Sequence, residues 1–384
     1  MQDTRLVERG HIQRLAQQAG LTLIGCTLAE AFTHARETAL ERLRQGLMGT
    51  LPWYHEGRIL RGTDPQAILP GAQSILSVAV SYYTTASPPQ RSLTGRVARY
   101  AWGQDYHKAL KERIRTLMHM LEKEVGPFRW KVYVDDGPIL EREVAHRAGI
   151  GWFGKNTNIL TPIGSWVFLG EAITTLKVAP DPPLKKTCGR CSACIPACPT
   201  GALIAPYVLD SRRCIAYLTI EHRGPIPREL RPLVGDWVFG CDICQEVCPV
   251  NRKAQPSHLP ELSPDPTRQR LDLLDILALS EEAFQERFRG TSIRRATRVG
   301  LQRNACIVLG NLGNPAAVPA LAQALEEGET LVRGHAAWAL GRIGGAKAIQ
   351  ALEKALVRED DPWAAQEVRL ALEETTAPAQ TYRY

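Results

Sequence analysis

The alternation of apolar and polar positions divides the chain into three consecutive regimes. Up to residue 178, helical periodicity is interrupted by short apolar runs, and Ser74 to Tyr83, Trp130 to Val134 and Ser165 to Val178 read as strands. Pro180, Pro182 and Pro183 close that regime and open a cysteine-rich stretch over 179–254. Four prolines between Gln255 and Pro266 then predict a linker. Residues 267–384 are helical in pattern throughout. The expected class is α+β and multidomain, with boundaries at 1–178, 179–254 and 267–384.

The last regime repeats itself. The stretch from Leu309 to Leu325 recurs 31 residues later as Leu340 to Leu356, and a partial third copy begins near Trp363. Small residues between paired helices at such a period describe a HEAT-like solenoid, in which each repeat buries its apolar face only by stacking on the next. A binding surface is expected there.

Composition narrows the class without naming a chemistry. A chain of 384 residues, 44% hydrophobic, can bury two or three cores. No apolar run reaches the length of a membrane span. The segment Met1 to Glu8 has neither a long apolar stretch nor a twin arginine, which argues against export and for a cytoplasmic location. A net charge of +7 only suggests an anionic partner.

Cysteine spacing is far more specific. Eight of the ten cysteines fall in or near two runs, Cys188, Cys191, Cys194, Cys198-Pro199 and Cys241, Cys244, Cys248-Pro249, with Cys214 between them. A C-x-x-C-x-x-C-x-x-x-C-P run wraps three thiolates around one [4Fe-4S] cube and aims the fourth at a second cube. Cys188, Cys191, Cys194 and Cys248 then hold the first cluster. Cys198, Cys241 and Cys244 leave the second one ligand short, and Cys214 is the candidate that completes it. Zinc is the competing reading, because C-x-x-C pairs also build tetrahedral sites, but two proline-terminated runs favour clusters. Cys26 and Cys306 stand alone in apolar contexts and are expected in the core.

Two further segments carry candidate chemistry. Gly290 to Arg303 holds Arg294, Arg295, Arg298 and Arg303 with no acid, which suits phosphate groups or, equally, a solvated helix face. The segment Lys131 to Gly149 places Asp135 and Asp136 where a strand ends and a helix opened by Pro138 begins. A carboxyl there is either a proton donor or a helix cap. The glycine-rich loop Gly149 to Asn158 lacks the phosphate-binding patterns, so a nucleotide cofactor gains no support.

Taken together, Arg99 to His107, Val134 to Arg142, Gly151 to Asn156, both cysteine runs and Tyr217 to Pro227 resemble the epoxyqueuosine reductase family over nearly the whole chain. That resemblance implies a cobalamin-binding α/β domain, a ferredoxin-like module with two [4Fe-4S] clusters, and a HEAT-like tail that helps hold tRNA. It implies reduction of epoxyqueuosine at the wobble position of tRNA to queuosine, in a monomer fed by a low-potential electron donor. Asp135 would be the proton donor, with Asp136 a helix-end acid and Glu141 and Arg142 local charge support. Tyr106 and His107 would lie near substrate. Arg58, Asp135, Lys155 and Asn158 would contact cobalamin, and His222, Arg294, Arg295, Arg298 and Arg303 the tRNA. The histidine-ligating pattern D-x-H-x-x-G is broken, since Asp105-Tyr-His107 is followed by Leu110 where glycine belongs, so cobalt is expected without a protein nitrogen below it. The rival readings are a reductive dehalogenase and a plain electron-transfer scaffold.

Overall fold

The computed structural model describes residues 6–87 and 91–376. By compactness the chain forms two units that interleave along the sequence, whereas the sequence pattern suggested consecutive parts. Of the described residues, those within 1–86, 103–212 and 242–264 form the first unit, and those within 87–102, 213–241 and 265–384 the second. No helix among the described residues is long and apolar enough to cross a membrane.

The first unit is built on a four-stranded sheet of β1 (Leu23–Leu28), β2 (Ser74–Ser81), β3 (Trp130–Tyr133) and β4 (Val167–Thr174). Its order is β1-β2-β4-β3 and every neighbouring pair is antiparallel. The three expected strands are therefore present, and β1 joins them at an edge. β2 is buried at all eight positions because both of its faces are covered. Three helices position the candidate site: α1 (Glu56–Gly62), α2 (Tyr106–Val125) and α3 (Glu141–Arg147).

The two long flanking contacts follow from side-chain size. α2 presents Leu110, Ile114, Leu117, Met118 and Leu121 as one buried stripe. It comes down on β4 at Gly170, where a Cβ would lie 2.7 Å from Ile114 and 3.0 Å from Val134. On the opposite face, α3 sits so close to β1 that a Cβ on Gly25 would lie 2.0 Å from the Ala148 carbonyl oxygen. Val144, Ile139, Ile75 and Ile173 form one core beneath α3, and Ala145, Ala148, Ala79 and Ile150 a second.

The proline-rich stretch expected as a linker is packed as far as Pro264. The Ser81 hydroxyl donates to the Gln255 carbonyl at 2.6 Å, Leu262 is buried, and Gly103 lies against Leu262. Proline density marks an irregular backbone, and here that backbone is fixed by its few apolar side chains.

The second unit holds a small sheet in which Thr94–Val97 lies between Trp237–Phe239, parallel to it, and Arg270–Asp272, antiparallel. Its main body is α4 (Arg298–Leu312), α5 (Val318–Glu327), α6 (Thr330–Ile343), α7 (Ala346–Arg358) and α8 (Pro362–Thr376). The 31-residue period has a steric origin. A Cβ on Gly310 of α4 would lie 2.7 Å from Trp338 of α6, and one on Gly341 of α6 would lie 2.9 Å from Ala371 of α8. Equivalent glycines thus admit the next repeat's helix at each step.

Candidate active site

In the first unit, the chain leaving β3 makes a sharp turn before α3. Asp135 adopts φ 53°, a left-handed conformation that costs a non-glycine residue energy and needs support from its surroundings. That support is explicit. The Asp135 backbone N–H donates to the Glu141 carboxylate, and Arg58 of α1 donates to the Gly137 carbonyl. Glycine is required on both sides of this contact: a Cβ on Gly62 would lie 1.9 Å from the Pro138 carbonyl oxygen, and one on Gly137 would lie 2.4 Å from the Tyr133 ring.

The turn puts the Asp135 carboxylate against the start of α2. Tyr106 Oη donates to Asp135 Oδ2 at 2.7 Å, and His107 Nε2 stands 3.8 Å from the same oxygen. Tyr106 is itself fixed by stacking on Phe168, with ring centroids 4.0 Å apart and planes within 5°. The His107 ring is fixed by Asp105, whose Oδ1 lies 2.6 Å from Nδ1 while also capping the helix through the His107 N–H. The hydrogen bond with His107 comes first among the causes that hold the Asp105 carboxyl below its ordinary value. Asp135 keeps 65% of its side chain exposed, so a substrate can reach it.

Asp136 has a different task. It pairs with Lys111 and accepts the Val134 N–H; partial burial pushes its carboxyl up, but these contacts outweigh burial and hold it below the usual range. Neither aspartate caps a helix, because α3 begins only at Glu141 with Leu140 before it. The expectation of a helix opened at Pro138 is corrected accordingly: the chain turns through Pro138 and becomes helical three residues later. Ligands gather at the carboxyl edge of parallel sheets, but this sheet is antiparallel, so that rule does not account for acids at the end of β3.

Behind the turn lies an acid that motif and spacing do not single out. Glu171, on β4, is fully buried, and neither carboxylate oxygen has a hydrogen-bond donor among the described residues. Burial, and then the neighbouring Glu141 carboxyl, push it well above the ordinary value. A signal for it does exist in the sequence: it is the one charged residue in the otherwise apolar stretch from Trp166 to Ile173.

The same unit gathers four of the cluster cysteines. The Cys194 thiol is pushed up by burial and then by Cys188, Cys248 and Cys191, and Cys248 is pushed up by burial and then by Cys188 and Cys191. The four thiols expected for the first cluster are thus near enough to act on one another's charge. All ten cysteines stand outside disulfides. Cys198 and Cys244 also lie in this unit, Cys198 ending the short helix Cys194–Ala197 and Cys244 within Ile243–Glu246. Cys214 stands before the helix Ile215–Ile220, and Cys241 follows the strand Trp237–Phe239, both in the second unit. Cys26 and Cys306 are buried.

The loop from Gly154 to Asn158 serves these cysteines. The Lys155 N–H donates to Cys188 Sγ at 3.4 Å, Lys155 Nζ to the Gly189 carbonyl at 2.9 Å, and Asn158 Nδ2 to Cys244 Sγ at 3.9 Å. Lys155 and Asn158, expected at cobalamin amides, thus make contacts at the cysteine loops. N–H···S bonds are a recognised means of tuning cluster potential. Arg58, by contrast, is held at the Asp135 turn.

In the second unit the arginine run is not uniform. Arg294 is exposed. Arg295 pairs with Glu221, and Arg298 pairs with Glu281 at 3.2 Å and Glu329 at 3.3 Å. Arg303 is 1% exposed and donates to the carbonyls of Leu218, His222 and Gly224. Its expected contact with tRNA is therefore corrected: it organises the backbone that carries His222. The His222 ring donates to the Pro225 carbonyl at 3.0 Å, and burial lowers its proton affinity, leaving it neutral.

Comparison with known proteins agrees with this layout. A model described as epoxyqueuosine reductase QueG, DUF1730, matches residues 63–136, a 4Fe-4S double cluster binding domain matches 187–251, and HEAT repeats match 292–373. An epoxyqueuosine reductase of Bacillus cereus is 38% identical over 360 residues, covering 92% of this chain and 94% of its own. The Pseudomonas aeruginosa enzyme is 39% identical over 347 residues, with 87% and 94% covered. A crystal structure of epoxyqueuosine reductase with an epoxyqueuosine-modified tRNA-Tyr stem loop superposes with a TM-score of 0.91 at 35% identity, covering 96% of this chain and 99% of that one. A Bacillus subtilis epoxyqueuosine reductase, captured with an aspartate-bearing catalytic loop swung out of its active site, superposes with a TM-score of 0.88 at 35% identity, covering 95% and 98%.

Proposed function

The chain belongs to the epoxyqueuosine reductase family, and from that premise we propose that it reduces epoxyqueuosine at the wobble position of tRNA to queuosine, with Asp135 as proton donor. The observation that carries the assignment is the exposed Asp135 carboxylate, held by a left-handed turn 2.7 Å from the Tyr106 hydroxyl in a unit that also gathers cluster cysteines. A relative whose catalytic loop carries an aspartate supports the same choice.

Opening the epoxide to an alkene consumes two electrons and two protons and releases water. Bound cobalamin and two [4Fe-4S] clusters supply the electron chemistry that side chains lack. Cys188, Cys191, Cys194 and Cys248 would hold one cluster, and Cys198, Cys214, Cys241 and Cys244 the other. His107 is held by Asp105 and faces Asp135, so it would act on the proton-donating side of the site. The protein's own part is to hold a proton at the Asp135 carboxyl for the departing oxygen, with Tyr106 orienting that carboxyl. Arg58 holds the turn, and Arg294 is the exposed cation offered to tRNA phosphate.

The test is anaerobic reconstitution with iron, sulfide and cobalamin, then single turnover on tRNA bearing epoxyqueuosine, with nucleosides resolved by mass. Conversion that depends on added cobalamin establishes substrate and cofactor together. No conversion, with clusters and corrinoid bound, removes this substrate from the assignment.

A further inference from the structure

Glu171 is the least comfortable side chain in the first unit. On β4 its neighbours on the same face are Leu169 and Ile173, which pack into the two cores beneath α3. Across the sheet it stands opposite Ser77 of β2 and Tyr133 of β3. The Ser77 hydroxyl is also buried without a partner among the described residues. An ionised carboxylate with no donor in such a place is strongly disfavoured; a carboxylic acid whose proton is shared with a neighbouring carboxylate is not.

The neighbour able to share it is Glu141, at the first position of α3, whose side chain reaches back over the sheet. The Glu141 carboxylate also accepts the Asp135 backbone N–H. Three acids therefore line up in space: a buried one on β4, a bridging one on α3, and the exposed one at the turn.

We infer that Glu171 and Glu141 share a single proton as a buried carboxyl pair, and that this pair positions the Asp135 turn and loosens it when the proton is lost. The inference rests on reading Asp135 as the proton donor and adds the positioning residues behind it. The charges around the pair favour one shared proton. Asp135 and Asp136 from the turn add negative charge, while Lys111 and His107 of α2 are directed at those two aspartates. Arg58 of α1 is bound to the Gly137 carbonyl, and Arg142 on α3 donates to the Thr157 carbonyl. Lys131, on the same sheet face in β3, donates to the Ile68 carbonyl at 2.7 Å. No cation among the described residues is therefore aimed at the pair, and burial, followed by repulsion from Asp135, pushes Glu141 up to about 8.

Loss of the shared proton would leave two buried negative charges beside Asp135, and the left-handed turn would lose its anchor. Turnover should accordingly fall as pH rises through about 8. Glu171→Gln replaces the shared proton with an amide N–H that cannot be titrated away. It should move the alkaline fall upward by at least about one pH unit while lowering turnover at neutral pH less than about ten-fold. Glu171→Leu removes the donor and should lower turnover on the order of 100-fold, with cluster and corrinoid spectra unchanged.

The deciding measurement needs no substrate. An infrared difference spectrum between wild-type holoprotein and Glu171→Gln at neutral pH should contain a protonated-carboxyl band that disappears as pH is raised through the alkaline range. Unfolding gives the same sign, because the folded pair keeps a proton that the unfolded chain releases at the ordinary glutamate value. The wild-type melting temperature should therefore drop more steeply than that of Glu171→Gln between that value and about 8. Absence of the band overturns the shared proton, and a pH–rate profile unchanged in Glu171→Gln overturns the positioning role. Should Glu171→Gln fail to fold, Glu141→Gln carries the same comparison. A normal band together with full activity in Asp135→Asn would retire Asp135 as donor and leave the carboxyl pair standing.

Discussion

At the scale of single residues, the turn separates the exposed Asp135 from the groups that hold it. Asp135→Asn keeps the side chain's shape and its contact with Tyr106 but removes the proton. Turnover should fall by about 100-fold or more, with clusters and cobalamin retained, as iron content, visible spectra and single-turnover mass analysis would reveal. Unchanged turnover would take Asp135 out of the reaction. Sequence made some of these residues legible and hid others, for a physical reason. Cluster spacing is local: a cube fixes thiolate spacing within one loop, so a two-cluster segment was legible in the cysteine runs, and 187–251 matches a 4Fe-4S double cluster binding domain. Asp135 was marked by a strand ending in acids. The burial of Arg303 and the contacts of Lys155 and Asn158 depend on which distant carbonyls and thiols lie within reach, and no spacing rule encodes that. Glu171 lay between the two cases, because its charge broke an apolar pattern that could have been weighed.

Elements fix where those residues stand. α2 starts at Asp105, whose side chain caps the helix and holds the His107 ring in the same contact. Asp105→Ala should therefore cost about 1 kcal/mol of stability through the cap, read by chemical denaturation. The same change should free His107, read as altered ring signals in NMR; an unaltered ring would mean that packing on Tyr106 alone suffices. The close approach of α1 to the turn is the second element-scale constraint. A methyl group at Gly62 would collide with the Pro138 backbone, so Gly62→Ala should displace the turn and lower turnover more than it lowers cluster content. Strand positions were legible because β2 and β4 are buried runs. The antiparallel order was not, because pairing is decided by contacts between segments far apart in the chain.

At the scale of the whole molecule, the repeat helices and the redox machinery share one chain and answer to different physics. The repeats depend on glycine-mediated stacking at a fixed period, so the same small residues must recur along the chain and the period can be read from them directly. Cluster content depends instead on thiolate count. Cys214→Ala should lower iron content by one cluster and leave the other intact, as quantified by iron analysis and electron paramagnetic resonance; loss of neither cluster would reject Cys214 as a ligand.

The arginine run proposed to meet tRNA is not uniform. Arg295 and Arg298 are paired with acids, and Arg303 is inside. Replacing Arg298 would disturb ion pairs with Glu281 and Glu329, so its effect would mix stability with binding. Arg294 is exposed, so it offers the cleaner test. If it neutralises a phosphate, Arg294→Ala should weaken tRNA binding evenly across sequences and make the dependence of log affinity on log salt shallower by about one unit. Arg294→Glu should weaken binding further, most at low salt, where repulsion is least screened. Both variants should keep cofactor spectra and melting temperature, because no core contact is altered. Binding isotherms at several salt concentrations decide the matter: an unchanged slope would assign Arg294 to the solvated surface and move the phosphate contact to another face of the second unit.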